Sequence, residues 1–124
     1  MAVTYSTTVK NARLSAVVTA IGTTGVLEIG TAGMSTVLAS LSLSNPAGTV
    51  ASGVLTFSGF PKSDTEADAS GTAAAARIRT ATGGVDLITG LTVGTSMSDI
   101  IIDNVSIVAG QTITINSASI THAP

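Results

Sequence analysis

The twenty-eight residues from Gly94 to Thr121, GTSMSDIIIDNVSIVAGQTITINSASIT, constrain the fold most strongly, because strand composition and turn composition alternate there at short, regular intervals. Ile100 and Ile102, Ser106-Ile107-Val108, and Ile113 with Ile115 are β-branched runs. Asp103-Asn104 and Ala109-Gly110-Gln111 between them are turn chemistry. The pattern predicts three short strands in an antiparallel meander. After Ile115 the alternation changes phase, with Ala118 and Ile120 taking over, so a bulge or bend is expected at Asn116-Ser117, where the last strand could pass from one sheet to another.

Upstream the same logic gives more strands. Val26-Leu27-Glu28-Ile29 is a strand ended by Gly30, and Val37 to Leu43 alternates except at Leu38. Asn45-Pro46-Ala47-Gly48 turns the chain into a strand from Val50 to Phe57, with a bulge expected at Gly53. Ile78 between Arg77 and Arg79 reads as strand despite the helix propensity of Ala73 to Ala76. After the Thr82-Gly83-Gly84 turn, Val85, Leu87, Thr89, Leu91 and Val93 keep period two, giving a hairpin from Arg77 to Val93. Only residues 6 to 21 show a helical period, with Val9, Ala12, Arg13, Ala16, Val17 and Ala20 on one side, Thr4 or Ser6 as N-cap and Gly22 as the stop. Lys10 and Arg13 belong at the edge of that stripe, stems covered and heads wet.

At 124 residues the chain has material for a single core. The expectation is therefore one domain, 1–124: an N-terminal helix at about 6–21, then an antiparallel β-sandwich or jelly roll of seven or eight short strands at about 26–122. Aromatics are 2% of residues, namely Tyr5, Phe57 and Phe60, so the core must be aliphatic and contact with other subunits is expected to add buried area. Few charges guard the sheet edges, which favours pairing with other chains and a homo-oligomer.

Function classes narrow by elimination. Lys10, Arg13, Lys62, Arg77 and Arg79 are scattered over a chain of net charge −2, which speaks against a nucleic-acid surface. Mean hydropathy is +0.57, yet Gly, Ser and Thr interrupt every apolar run well short of the ~18 residues that a membrane span needs, so no membrane partner is expected. Met1 to Ser6 lacks the features of a signal peptide, pointing to synthesis in the cytoplasm. Without cysteine there is neither a disulfide nor a thiolate nucleophile.

Among residues capable of chemistry, Asp64, Glu66 and Asp68 stand two apart as in a calcium loop, but Gly71 is misplaced and no later Glu completes the set. The stretch from Lys62 to Gly71 is expected to be an acidic surface loop with nothing to fill a core. Asp99 and Asp103 cap turns. His122, the sole histidine, lies two residues from the end with nothing to hold it as a base. Gly30-Thr31-Ala32-Gly33 lacks the lysine of a phosphate loop. Catalytic, cofactor-binding and metal residues are accordingly none, and the chain is not expected to be an enzyme.

The run Leu38 to Ala47, then Gly53-Val54-Leu55-Thr56, then Val93-Gly94-Thr95-Ser96, Asp99-Ile100, Ala109 to Ile115 and Ile120-Thr121-His122 resembles small structural proteins of tailed-bacteriophage virions, over about Val26 to His122. The resemblance implies a capsid decoration or cement protein. Such a protein binds the outer surface of the assembled head, bridges neighbouring major capsid protein subunits and stabilises the shell, so its location would be the virion. Tail or baseplate component is the alternative within that class. A carbohydrate-binding module for host attachment is the alternative outside it, poorly served by so few aromatic rings. The contact elements favoured are Ala2 to Ala20, Lys62 to Gly71 and the tail from Ser119.

Overall fold

The computed structural model describes residues 4–81 and 83–121. In order these form α1 (Thr7–Ile21), β1 (Val26–Gly30), a 3-10 turn (Ala32–Met34), β2 (Val37–Ser42), β3 (Gly48–Ala51), β4 (Val54–Phe57), β5 (Lys62–Asp64), β6 (Gly71–Thr72), β7 (Ala75–Arg79), β8 (Asp86–Gly94), β9 (Ile100–Ile102), β10 (Ser106–Ile107) and β11 (Ile113–Thr121). The protein is mainly β with one N-terminal helix. Strands outnumber the seven or eight expected because β5 and β6 are two or three residues long with no hydrophobic period to announce them, and because the one strand expected from Val50 to Phe57 is divided between β3 and β4.

Most strands join one curled, mixed sheet in the order β2-β1-β7-β8-β9-β11-β4-β3, with β5 also on β11. The expected meander at the C-terminal end does not form. β9 runs parallel to the end of β8 and antiparallel to β11, while β10 leaves to pair with β6 in a separate two-stranded sheet. The phase change in β11 is real: its register on β9 slips between Ile115 and Ser117. Before the slip β11 pairs with β5 through Ile113, Thr114 and Ile115, and after it with β4 through Ser119, Ile120 and Thr121. One bulge thus lets a single strand serve two neighbours in turn.

Two further expectations are corrected. Val50 to Phe57 is a hairpin and not one strand, because Ser52 (φ 51°) and Gly53 (φ 75°) both take the left-handed region that a two-residue turn requires, bringing Ala51 opposite Val54. The alternation from Val85 to Val93 is broken twice, because Ala76 lies opposite Leu91 but Ile78 opposite Ile88, with Gly90 (φ 74°) between, and Arg79 lies opposite Asp86, so β8 carries an extra residue at each step. Val85 lies just before β8 and is exposed.

The helix has the expected limits, with Ser6 Oγ accepting from Val9 N (3.2 Å) and the Gly22 amide bonding Val18 O. Its buried face differs from the expected one. Leu14 and Ile21 are buried with Val17 and Val18 packed against the core, whereas Val9, Ala12, Arg13, Ala16 and Ala20 face solvent. The larger side chains win because burial free energy scales with apolar area, about 25 cal/mol per Å². Gly25 lets the sheet meet this helix: a Cβ there would collide with the Ile21 side chain.

The core inside the curl is aliphatic, with Leu27, Ile29, Leu38, Leu55, Ile78, Ile100, Ile102, Ile113 and Ile115 essentially inaccessible. The edge of β2 is closed by the segment that follows β4. Asp64 Oδ2 accepts from Ser40 N (3.1 Å), Asp68 N donates to Leu38 O (2.8 Å) and Lys62 Nζ donates to Ser42 O (2.9 Å). Leu38, Ser40 and Ser42 present those groups from one edge, as residues two apart must.

Candidate functional site

Glu28 is the one buried charged residue among those described. On β1 it alternates with Leu27 and Ile29, which face the core, and so points to the outer face, where Arg77 of β7 lies directly opposite and Arg79 diagonally. Glu28 Oε1 stands 2.6 Å from Arg77 Nε, which donates to it, and 3.8 Å from an Nη of Arg79. Arg79 Nε is 2.8 Å from Asp86 Oδ1, an ion pair whose alignment falls short of a hydrogen bond. Two carboxylates and two guanidiniums thus form a neutral chain across β1, β7 and β8.

Beside this network opens a groove of about 330 Å³ lined by Gly33, Met34, Ala75, Arg77, Asp86, Thr89 and Gly90. The 3-10 turn and the β8 bulge form its rims. Gly33 (φ 69°), Met34 (φ 58°) and Gly90 (φ 74°) all have left-handed backbone, and no atom lies within 4 Å of where a Cβ would stand on either glycine. Gly30 allows Met34 to lie on β1, since a Cβ there would meet the Met34 thioether at 2.9 Å.

The residues singled out in the sequence do not converge here. The Asp64 carboxylate is not a free ligand on a loose loop, since Oδ1 accepts from Glu66 N (3.0 Å) while its other oxygen holds β2, and the segment is tied further by the Asp68 amide on Leu38 O and by buried Ala67, whose amide bonds Gln111 O. The expectation that nothing in this segment fills the core is corrected by Ala67. No cluster of three or more potential ligands that could hold a metal occurs among the described residues. Asp99 does more than cap a turn, accepting from both N and Oγ1 of Thr92, and Asp103 accepts from Thr114 N. His122 lies outside the described residues. Phe57 is buried, Phe60 is half-buried with Lys62 Nζ 5.6 Å from its ring centre, and Tyr5 has the Arg13 guanidinium 4.8 Å from its ring centre.

The chain matches no protein-family model, no curated protein and no solved structure. Function must therefore be argued from surfaces. Besides the groove, the outer face of α1 stands out: Val9 is 42% exposed, in line with Ala12, Ala16 and Ala20, and Arg13 is the cation on that face. No helix is long and apolar enough to cross a membrane among the described residues. The ionic network escaped sequence reading, although a signal existed: a carboxylate inside an apolar strand, and an Arg-Ile-Arg alternation whose two cations share one face.

Proposed function

We propose that this protein is a structural component of a bacteriophage virion that binds the assembled capsid surface and bridges major capsid protein subunits, acting without catalysis and as a homo-oligomer. The observation that carries the reading is the outward row Val9, Ala12, Ala16 and Ala20 on α1. A helix face of this kind suits helix-in-groove association, and repeated weak contacts over a lattice add up through avidity. The edge of β3 offers a second mode, strand addition, since Gly48-Thr49-Val50-Ala51 carries no charge to oppose it. In this reading the two halves of the curled sheet act as the layers of a sandwich around the aliphatic core.

Sedimentation with expanded empty heads and with isolated tails tests the proposal. Binding to heads at fixed stoichiometry, lost in Ala16→Glu without a change in unfolding temperature, is the expected result. Binding to tails alone would replace it with a tail or baseplate role. Sedimentation of the free protein tests self-association.

A further inference from the structure

The ionic network and the groove beside it share no residue with the outward row of α1, and their chemistry points to a small ligand. A buried carboxylate tied to arginine usually offers a protein little net stability. Here it has a geometric effect: Glu28 occupies Arg77 Nε and fixes the plane of the guanidinium, leaving the Nη edge as the donor side toward the groove that Arg77 lines. Asp86 also lines the groove, with Oδ1 in an ion pair 2.8 Å from Arg79 Nε, which makes Oδ2 the oxygen we assign as acceptor for the groove. Arg77 and Asp86 thus line one groove as a donor and an acceptor, each paired with an opposite charge of the network.

The net charge of Glu28, Arg77, Arg79 and Asp86 is zero, which sets the ligand class. An anion drawn to Arg77 meets Asp86, and a cation drawn to Asp86 meets Arg77. A neutral group carrying adjacent hydroxyls satisfies both, one oxygen accepting from Arg77 and the next donating to Asp86. Thr89 adds a hydroxyl on the rim, while Met34 and Ala75 supply an apolar wall against which C–H groups can lie. The backbone around the groove agrees: three of its lining residues hold positive φ, Met34 among them at a cost that non-glycine residues seldom bear, and such positions gather at ligand sites. A volume of about 330 Å³ lies at the small end of ligand pockets.

We propose that the groove between the 3-10 turn Ala32–Met34 and the Gly90 bulge binds a neutral polyhydroxylated ligand of monosaccharide size, with Arg77 as donor and Asp86 as acceptor. The site takes the place of a stacking aromatic with a thioether wall and a pre-set charged pair. It shares no residue with the outward row of α1, so the two can be tested by separate variants of the same protein.

The test is an amide chemical-shift titration of the whole chain with the methyl glycosides of glucose, galactose, mannose and N-acetylglucosamine, each at about 50 mM, well above a dissociation constant of ~1 mM. Acetate and glycine at the same concentration serve as charged probes. At least one glycoside is expected to shift the amides of Gly33, Met34, Ala75 and Gly90 saturably, with acetate and glycine producing no such set. Ala75→Leu, which fills the floor without touching an ion pair, and Asp86→Asn, which changes the acceptor while keeping its shape, should each weaken binding about tenfold or more. Each variant is read only where its amide spectrum retains the native dispersion. Absence of a saturable shift with every glycoside overturns the proposal. So does a response to acetate or glycine equal to that of the best glycoside, or unchanged affinity in both folded variants.

Discussion

Glu28 Oε1 lies 2.6 Å from Arg77 Nε, a buried carboxylate gripped by a guanidinium from the strand across. Removing one member of such a pair leaves the other without compensation, so Glu28→Ala should destabilise by about 3 kcal/mol. Replacing the pair with Glu28→Leu and Arg77→Leu should recover much of that loss. Urea denaturation of the two variants measures the difference, and equal losses would show that packing, and not charge, holds β1 to β7.

The helix face offers a contrast within one element. Leu14 is buried at 3% exposure, and Leu14→Ala should cost about 2 to 4 kcal/mol by leaving a cavity. Val9→Ala, on the solvent side, should fall within about 0.5 kcal/mol of the parent. Thermal unfolding distinguishes them.

Asn11 Oδ1 accepts from Gly53 N at 2.9 Å, tying α1 to the β3–β4 turn. Loss of this part-buried bond in Asn11→Ala should cost about 1 kcal/mol. Gly53→Ala should cost about as much, since its φ of 75° disfavours any Cβ and the Lys10 stem is 3.1 Å from where that atom would sit. Chemical denaturation of both and of the double variant would reveal their coupling.

Asp64 closes the β2 edge. Asp64→Ala deprives Ser40 N and Glu66 N of their acceptor and should cost about 1 to 3 kcal/mol. The Ser40 amide should also exchange with solvent faster relative to the Leu27 amide, a local effect that hydrogen exchange resolves from global unfolding.

Much of the secondary structure is legible in the sequence. Ser6 and Gly22 mark the helix, the isoleucine runs mark β9 and β11, and the phase change at Asn116-Ser117 marks the bulge, all through local rules of capping and period. The buried helix face is only partly legible: of the regular stripe Val9, Ala12, Arg13, Ala16, Val17 and Ala20 only Val17 packs inward, because the larger areas of Leu14, Val17, Val18 and Ile21 decide the face. Ser52-Gly53 carried a hairpin signal that reads equally as a bulge until both φ angles are known. Strand partners such as β4 for the end of β11 depend on contacts far apart in sequence, which no local pattern encodes. The Glu28 network was half visible: the charges sat in strands of the right phase, but their meeting required the β1–β7 pairing.

The nine-residue strand β11 also sets an order of events in time. It alone joins β9 on one side to β5 and then β4 on the other, so a nascent chain that has emerged only as far as Ile107 has the β3–β4 hairpin and β5 without their strand neighbour, held to the rest through α1 and the β2 edge. Pairings of such sequence separation form slowly because distant segments must first be brought together. Until residues 113–121 are available, the sheet is therefore divided in two, with β9 paired only to β8 and the β3–β4 hairpin outside the sheet that β1, β2, β7 and β8 form.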